Sequence, residues 1–175
     1  MRTAVAMRII LGWCLVAALV GVPRAVAAQD RLGGHFGAVF PLVNHVGGET
    51  TTISDDFVIG FPMGITVKTS DKWAFDLEFV PVIQNDPLGV ALTVHPGVIR
   101  ALTDGWATGV RMAFDVNKSS WGFTPLVNKS FPIPGHSYSW FIEGVVPIRF
   151  QTDPNDPNGG NRGSIGLGVH LGIGF

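Results

Sequence analysis

Along most of this chain, large apolar residues alternate singly with small or polar ones, the period of two that belongs to β-strands. The carboxyl-terminal run is the most regular: Ile165, Leu167, Val169, Leu171, Ile173 and Phe175 alternate with Gly166, Gly168, His170, Gly172 and Gly174. In 57–68, Phe57, Ile59, Phe61, Met63, Ile65 and Val67 share one side, and Val58, Gly60, Pro62, Gly64, Thr66 and Lys68 the other. Segments 73–82, 88–100 and 106–116 read the same way, led by Trp73, Leu88 and Trp106. Three further segments are less regular: 32–43 on Phe36, Phe40 and Leu42, 120–128 on Trp121, Phe123 and Val127, and 138–150 on Tyr138, Trp140, Ile142, Val146, Ile148 and Phe150. Eight strands are thus expected, and glycine and proline recur too often for a long helix.

The two faces decide between a water-soluble sandwich and a membrane barrel. A sandwich turns its large apolar residues inward and meets water with Lys, Glu, Thr and Ser. Here the second face is mostly Gly and Ala with isolated charges, which suits the narrow interior of a small barrel whose large residues face lipid. Lys68, Asp76, Glu78, Arg111, Asp115, Glu143 and Arg149 all fall on the phase opposite their strand's main apolar face, while Arg100 lies at a strand end where its stem can reach an interface. The expected fold is therefore all-β: an eight-stranded antiparallel transmembrane β-barrel of up-and-down meander order. Charged residues make up only 14% of the chain, which fits that reading, and 46% apolar content argues against disorder.

The first 28 residues read as a separate object. Arg2 and Arg8 precede an apolar run from Ile9 to Val22, and Ala25-Val26-Ala27-Ala28 resembles a cleavage site, the layout of a secretory signal peptide. The barrel domain is then 29–175. The one cysteine, Cys14, leaves with the peptide, so disulfides, thiolate catalysis and cysteine-held metals are excluded from the exported chain. Three of the 12 basic residues leave too, so nine face 13 acidic ones, a net charge of −4 that argues against a nucleic-acid partner.

With both ends on the inner side, Thr69-Ser70-Asp71 and Ala101–Gly105 become short inner turns, and 44–56 and 152–163 longer outer loops. Trp73, Trp106 and Trp140 would each begin an outward strand and form a periplasmic aromatic girdle. The connection 129–137 fits poorly, being long for an inner turn. Counted from the inner ends, Glu78, His95, Arg111, Glu143 and His170 come out at similar heights. With Asp76, Asp115 and Arg149 they form an expected interior polar network, Arg111 being its central cation.

Taken together, the signal peptide, the glycine-rich aromatic strands and the terminal Phe175 with Ile173, Leu171 and Val169 resemble small bacterial outer-membrane β-barrel proteins. That eight-stranded family includes the membrane domain of OmpA. The resemblance covers 29–175 and implies an outer-membrane location in a Gram-negative bacterium. It implies lipid and lipopolysaccharide as surroundings, and a last strand (Val169, Leu171, Ile173, Phe175) that serves as the signal to the outer-membrane assembly machinery. No catalytic set, metal site or cofactor is assigned. His136-Ser137 is the one adjacent His–Ser pair, reads as a turn, and has no acidic residue beside it. Asp153–Asn161 is rich in oxygen side chains but lacks the spacing and closing Glu of a calcium loop. The expected role is structural or surface-interacting with a plugged interior; the alternatives are a lipid A-modifying enzyme and a soluble secreted β-sandwich.

Overall fold

Residues that alternate in size can pair along their backbones while presenting opposite faces, and that pairing organises the whole barrel. The computed structural model describes residues 31–85, 88–116, 118–152 and 161–175. It contains β1 (Leu32–Val46), β2 (Glu49–Thr52), β3 (Ile59–Gly60), β4 (Met63–Lys68), β5 (Trp73–Asn85), β6 (Leu88–Ala101), β7 (Trp106–Asp115), β8 (Ser120–Pro132), β9 (Ser139–Val145), β10 (Ile148–Thr152) and β11 (Asn161–Gly174). These make eight staves, because β2, β3 and β4 form one stave and β9 and β10 another. Every neighbouring pair is antiparallel and the order is a meander. β11 returns to β1, from His35↔Gly174 to Val46↔Ser164, and closes the barrel. Gly34 and Phe175 exchange N–H···O bonds of 2.9 Å at the end of that seam.

Each interrupted stave has a break at a proline, Pro62 between β3 and β4 and Pro147 between β9 and β10, and a proline cannot donate to a ladder. The walls stay joined because the proline carbonyls still accept: Gly37 N–H bonds Pro62 O at 3.0 Å, and Gly166 N–H bonds Pro147 O at 2.9 Å. Across from each break, Phe61 N–H reaches Pro81 O at 2.8 Å and Val146 N–H reaches Pro125 O at 3.0 Å.

Three boundaries differ from the sequence reading. β8 continues past 128 to Pro132, with Phe131 stacked on Trp140 at 4.0 Å, so the connection expected at 129–137 shrinks to 133–138. The loop expected at 44–56 is partly a two-residue hairpin, Val46 pairing with Glu49 around Gly47 and Gly48. Those glycines have φ of 58° and 88°, the left-handed conformation that tight hairpin turns require. In β1 the pairing slips between Pro41 and Val43, leaving Leu42 as the extra residue of a bulge. The phase then reverses, so Val43 rather than Leu42 continues the exposed row of Phe36. Residues 1–30, which include the expected signal peptide, lie outside the described residues, as do Asp86-Pro87, Asn117 and 153–160, most of the Asp153–Asn161 loop.

The distribution of side chains is inverted relative to a water-soluble domain. Val80, Ala113, Leu126, Phe141 and Val145 are the buried hydrophobic residues, whereas Asp76, Glu78, Thr93, His95, Arg111, Ser120, Thr124, Glu143 and His170 are buried and polar or charged. The outward rows are large and exposed: Met63, Ile65 and Val67 on β4, Val110, Met112 and Phe114 on β7, and Ile165, Leu167, Leu171 and Ile173 on β11.

Candidate functional site: the polar layer of the barrel interior

Inward positions of neighbouring staves are brought level by the register. His95 on β6 faces Glu78 on β5, and His170 on β11 faces Glu143 on β9. Arg111 on β7 stands opposite Gly97 on β6, where a Cβ would lie 2.6 Å from the arginine Cγ. The missing side chain lets the arginine stem leave the wall and cross the lumen. Its Nε donates to Asp76 Oδ2 at 2.8 Å and its Nη1 to Glu143 Oε1 at 2.8 Å, with Glu78 Oε2 at 3.6 Å. One guanidinium thus joins carboxylates from β5 and β9, across the barrel from each other.

The remaining carboxylate oxygens are also served. Glu78 accepts from His35 Nε2 and from His95 Nδ1, each at 2.9 Å. Glu143 accepts from His170 Nδ1 at 3.2 Å and from the Asn128 amide at 3.4 Å. Asp76 accepts from the Thr66 hydroxyl at 2.7 Å. Ion pairs this deeply buried need such saturation, because desolvation otherwise exceeds the Coulombic gain. Since an ionised carboxylate can only accept, each histidine nitrogen hydrogen-bonded to one must carry the proton. The free ring nitrogen of His95, Nε2, then takes a bond from Arg149 Nη2 at 3.2 Å, and Arg149 Nη1 donates to Thr124 Oγ1 at 3.0 Å. Asp115 lies higher on β7 and accepts from Thr93 Oγ1 at 2.7 Å.

Sequence reasoning did not place His35 in this layer, nor the hydrogen-bonding Thr66, Thr93, Thr124 and Asn128. For His35 the signal was available: Phe36 points outward, so its neighbour must point in. The ring fits because it lies against Gly64, where a Cβ would come within 2.1 Å of His35 Cε1. Below the layer is a cavity of about 310 Å³ lined by Lys68, Ser130, Ser139 and Phe175, among others. Above it is a chamber of about 170 Å³, and a mouth of about 360 Å³ that includes Asn44, Asp56, Gln84 and Ser164.

The other residues singled out in the sequence lie away from this layer. Trp73 and Trp106 open β5 and β7 and Trp140 is the second residue of β9; all three are about half exposed and lie at the end of the barrel that carries the connections 69–72, 102–105 and 133–138. The Arg100 guanidinium lies 5.6 Å from the Trp73 ring centre and the Lys129 ammonium 5.3 Å from that of Trp106. His136 sits in the exposed 133–138 turn with its ring 4.7 Å from that of Tyr138. Among the described residues no serine hydroxyl is hydrogen-bonded to a histidine; His45 bonds Thr50 at the exposed end of β1. Within the layer itself, Glu78, Glu143 and His170 offer ligand atoms within 4.8 Å of one another, but Arg111 already places a cation between the two carboxylates.

Fold and interior together define a closed eight-stave antiparallel barrel with ionic groups inside and large apolar groups outside. No protein-family model and no curated protein matches the chain. Among solved structures it is similar to the crystal structure of the outer membrane protein OprG from Pseudomonas aeruginosa, at 10% identity over 82% of this chain and 93% of that chain, with a TM-score of 0.40. The fold stands on the strand pairing above, and this distant likeness adds nothing to the reading of the interior.

Proposed function

We propose that this is a small, non-enzymatic outer-membrane barrel, exported by the cleavable segment 1–28, with a structural or surface-interaction role and a lumen sealed at the Arg111 layer. The observation that carries the reading is the inversion of faces. Exposed rows such as Phe75–Phe79, Val110–Phe114 and Ile165–Ile173 would be an aggregation hazard in water but are the surface that lipid requires. β5, β6, β8 and β11 have 13 or 14 residues each, and a strand of roughly ten tilted residues suffices to cross the hydrocarbon. No described helix is long and apolar enough to cross a membrane.

In this reading Trp73, Trp106 and Trp140, with Arg100 and Lys129 beside two of them, sit at the periplasmic interface, where amphipathic rings and long cations are favoured. Val169, Leu171, Ile173 and Phe175 present the last strand to the assembly machinery, and lipopolysaccharide surrounds the outer end. Membrane fractionation combined with heat-modifiable gel migration tests the location: a fast-migrating folded form is expected in the outer-membrane fraction. Amino-terminal sequencing of that form should begin near Gln29. Planar-bilayer recording tests the seal, with very little conductance expected. Recovery of a soluble form, or a large steady conductance, would overturn the respective half of the proposal. Changed lipid A masses on deleting the gene would favour the enzymatic alternative.

A further inference from the structure

The guanidinium of Arg111 spends only part of its donating capacity on the polar layer. Nε bonds Asp76, and Nη1 bonds Glu143 and approaches Glu78. The two N–H groups of Nη2 are left without a partner among the described residues. Nη2 is not sealed in, because the one side-chain polar atom that is both enclosed and unpartnered among those residues is His170 Nε2. Arg111 is only 4% exposed, and it lines the cavity of about 310 Å³ below the layer, not the chamber above. A buried cation therefore turns two free donors into that cavity.

The walls continue the theme. Lys68 lies one inward position below Thr66, whose hydroxyl bonds Asp76. Neither the Lys68 ammonium nor the Ser139 hydroxyl joins a hydrogen bond or ion pair among the described residues. The carboxylate in the lining, Glu143, is already met by Arg111, His170 and Asn128. Open donors thus outnumber open acceptors, and an oxygen-rich occupant is favoured. Charge narrows the choice. A cation would face Arg111 and Lys68, whereas an anion would sit beneath Asp76, Glu78 and Glu143, three carboxylates around one guanidinium. Phe141 and Ile99 add apolar wall between the donors. We infer that this cavity binds a neutral polyhydroxylated molecule of small-sugar size, its oxygens accepting from Arg111 Nη2, Lys68 and Ser139 and its carbon skeleton lying against Phe141 and Ile99. At about 30 Å³ per water-sized unit, the space suits about ten non-hydrogen atoms. Lys68, Ser137 and Phe175 are exposed members of the lining, so the cavity opens at the end of the barrel that carries Trp73, Trp106 and Trp140. The site rests on the membrane-barrel reading, which makes that end periplasmic.

The test uses the full barrel refolded in lipid nanodiscs with ¹⁵N-labelled arginine, titrated at pH 7 with D-xylose. A saturable change in the Arg111 Nη resonances is expected. Cyclohexanol, which has one hydroxyl on a body of similar size, should bind at least tenfold more weakly, and so should acetate and methylammonium, which carry charge. Ala107→Phe fills the cavity from β7 while leaving every polar group in place, and should weaken xylose binding at least tenfold. Lys68→Met, at the exposed rim, should weaken it at least threefold and carries the test if Ala107→Phe fails to fold. No saturable change in the wild type, equal binding of cyclohexanol or acetate, or undiminished binding in either variant would overturn the inference. Recovery of the chain as a soluble form would sink the membrane reading, whereas a folded barrel that ignores xylose would sink this site alone.

Discussion

Arg111 is held by carboxylates from two staves, and its removal leaves Asp76 and Glu143 with unbalanced buried charge. Arg111→Ala should therefore destabilise the barrel by about 3–5 kcal/mol, measured by reversible folding in lipid vesicles. Adding Glu143→Gln should recover part of that loss, because the two residues are coupled and the second change removes a stranded charge. A Cβ at Gly64 would strike the His35 ring, so Gly64→Ala should cost about 1–3 kcal/mol in the same assay, with His35→Ala in the background relieving it. Outside the barrel wall, Asp55 accepts from the Thr52 N–H at 2.8 Å and the Thr52 hydroxyl at 2.7 Å. These bonds hold its carboxyl below the ordinary value of 3.8. Its contribution to the turn is thus present above the ordinary value and is lost as pH falls through the lowered one. The Thr52 amide resonance followed against pH should titrate with a midpoint below 3.8; a midpoint at or above it would remove the hydrogen bonds from the account.

At the scale of the strand, the two faces should respond differently to charge. Val110→Arg, on the exposed row of β7, should cost about 2–4 kcal/mol when near the bilayer midplane. Positions near a strand end, such as Val90 close to the start of β6, should tolerate the same change better, as an arginine stem there can reach the interface. Deleting Phe175 removes the reciprocal bonds with Gly34 and should lower the folded, heat-modifiable fraction in cells; normal assembly of that variant would argue against the terminal strand as a signal. The strands most legible in the sequence were those whose alternation is unbroken, as from Trp73 to Val80. Asp76, Glu78 and Arg111 each stand out from a face of small residues, whereas Glu143 lies between inward Phe141 and Val145, and the ladder register is what brings these groups level. What escaped was set by the neighbours across the ladder rather than by the segment itself. The bulge at Leu42 depends on how Pro41 meets Gly168 on β11. β8 runs on to Pro132 because β9 supplies Ser139 and Trp140 opposite it, although Lys129, Pro132 and Pro134 make that stretch read as a turn. His35 is flanked by Gly33, Gly34 and Gly37, so outward Phe36 alone reveals its side.

For the molecule as a whole, the seam between β1 and β11 joins the most distant parts of the described chain. Other walls are built largely between consecutive segments, such as β5 with β6, whose loop closure is entropically cheap. The seam is the opposite case: a non-local pairing that must wait until every intervening stave is in place. Folding should therefore end in a slow, cooperative closure whose rate is governed by topology more than by local strand propensity. Until that step, β1 and β11 are two long edges with unpaired N–H and C=O groups, each able to template a foreign strand. An unfinished barrel is consequently sticky at both edges, and its survival depends on how quickly they find each other.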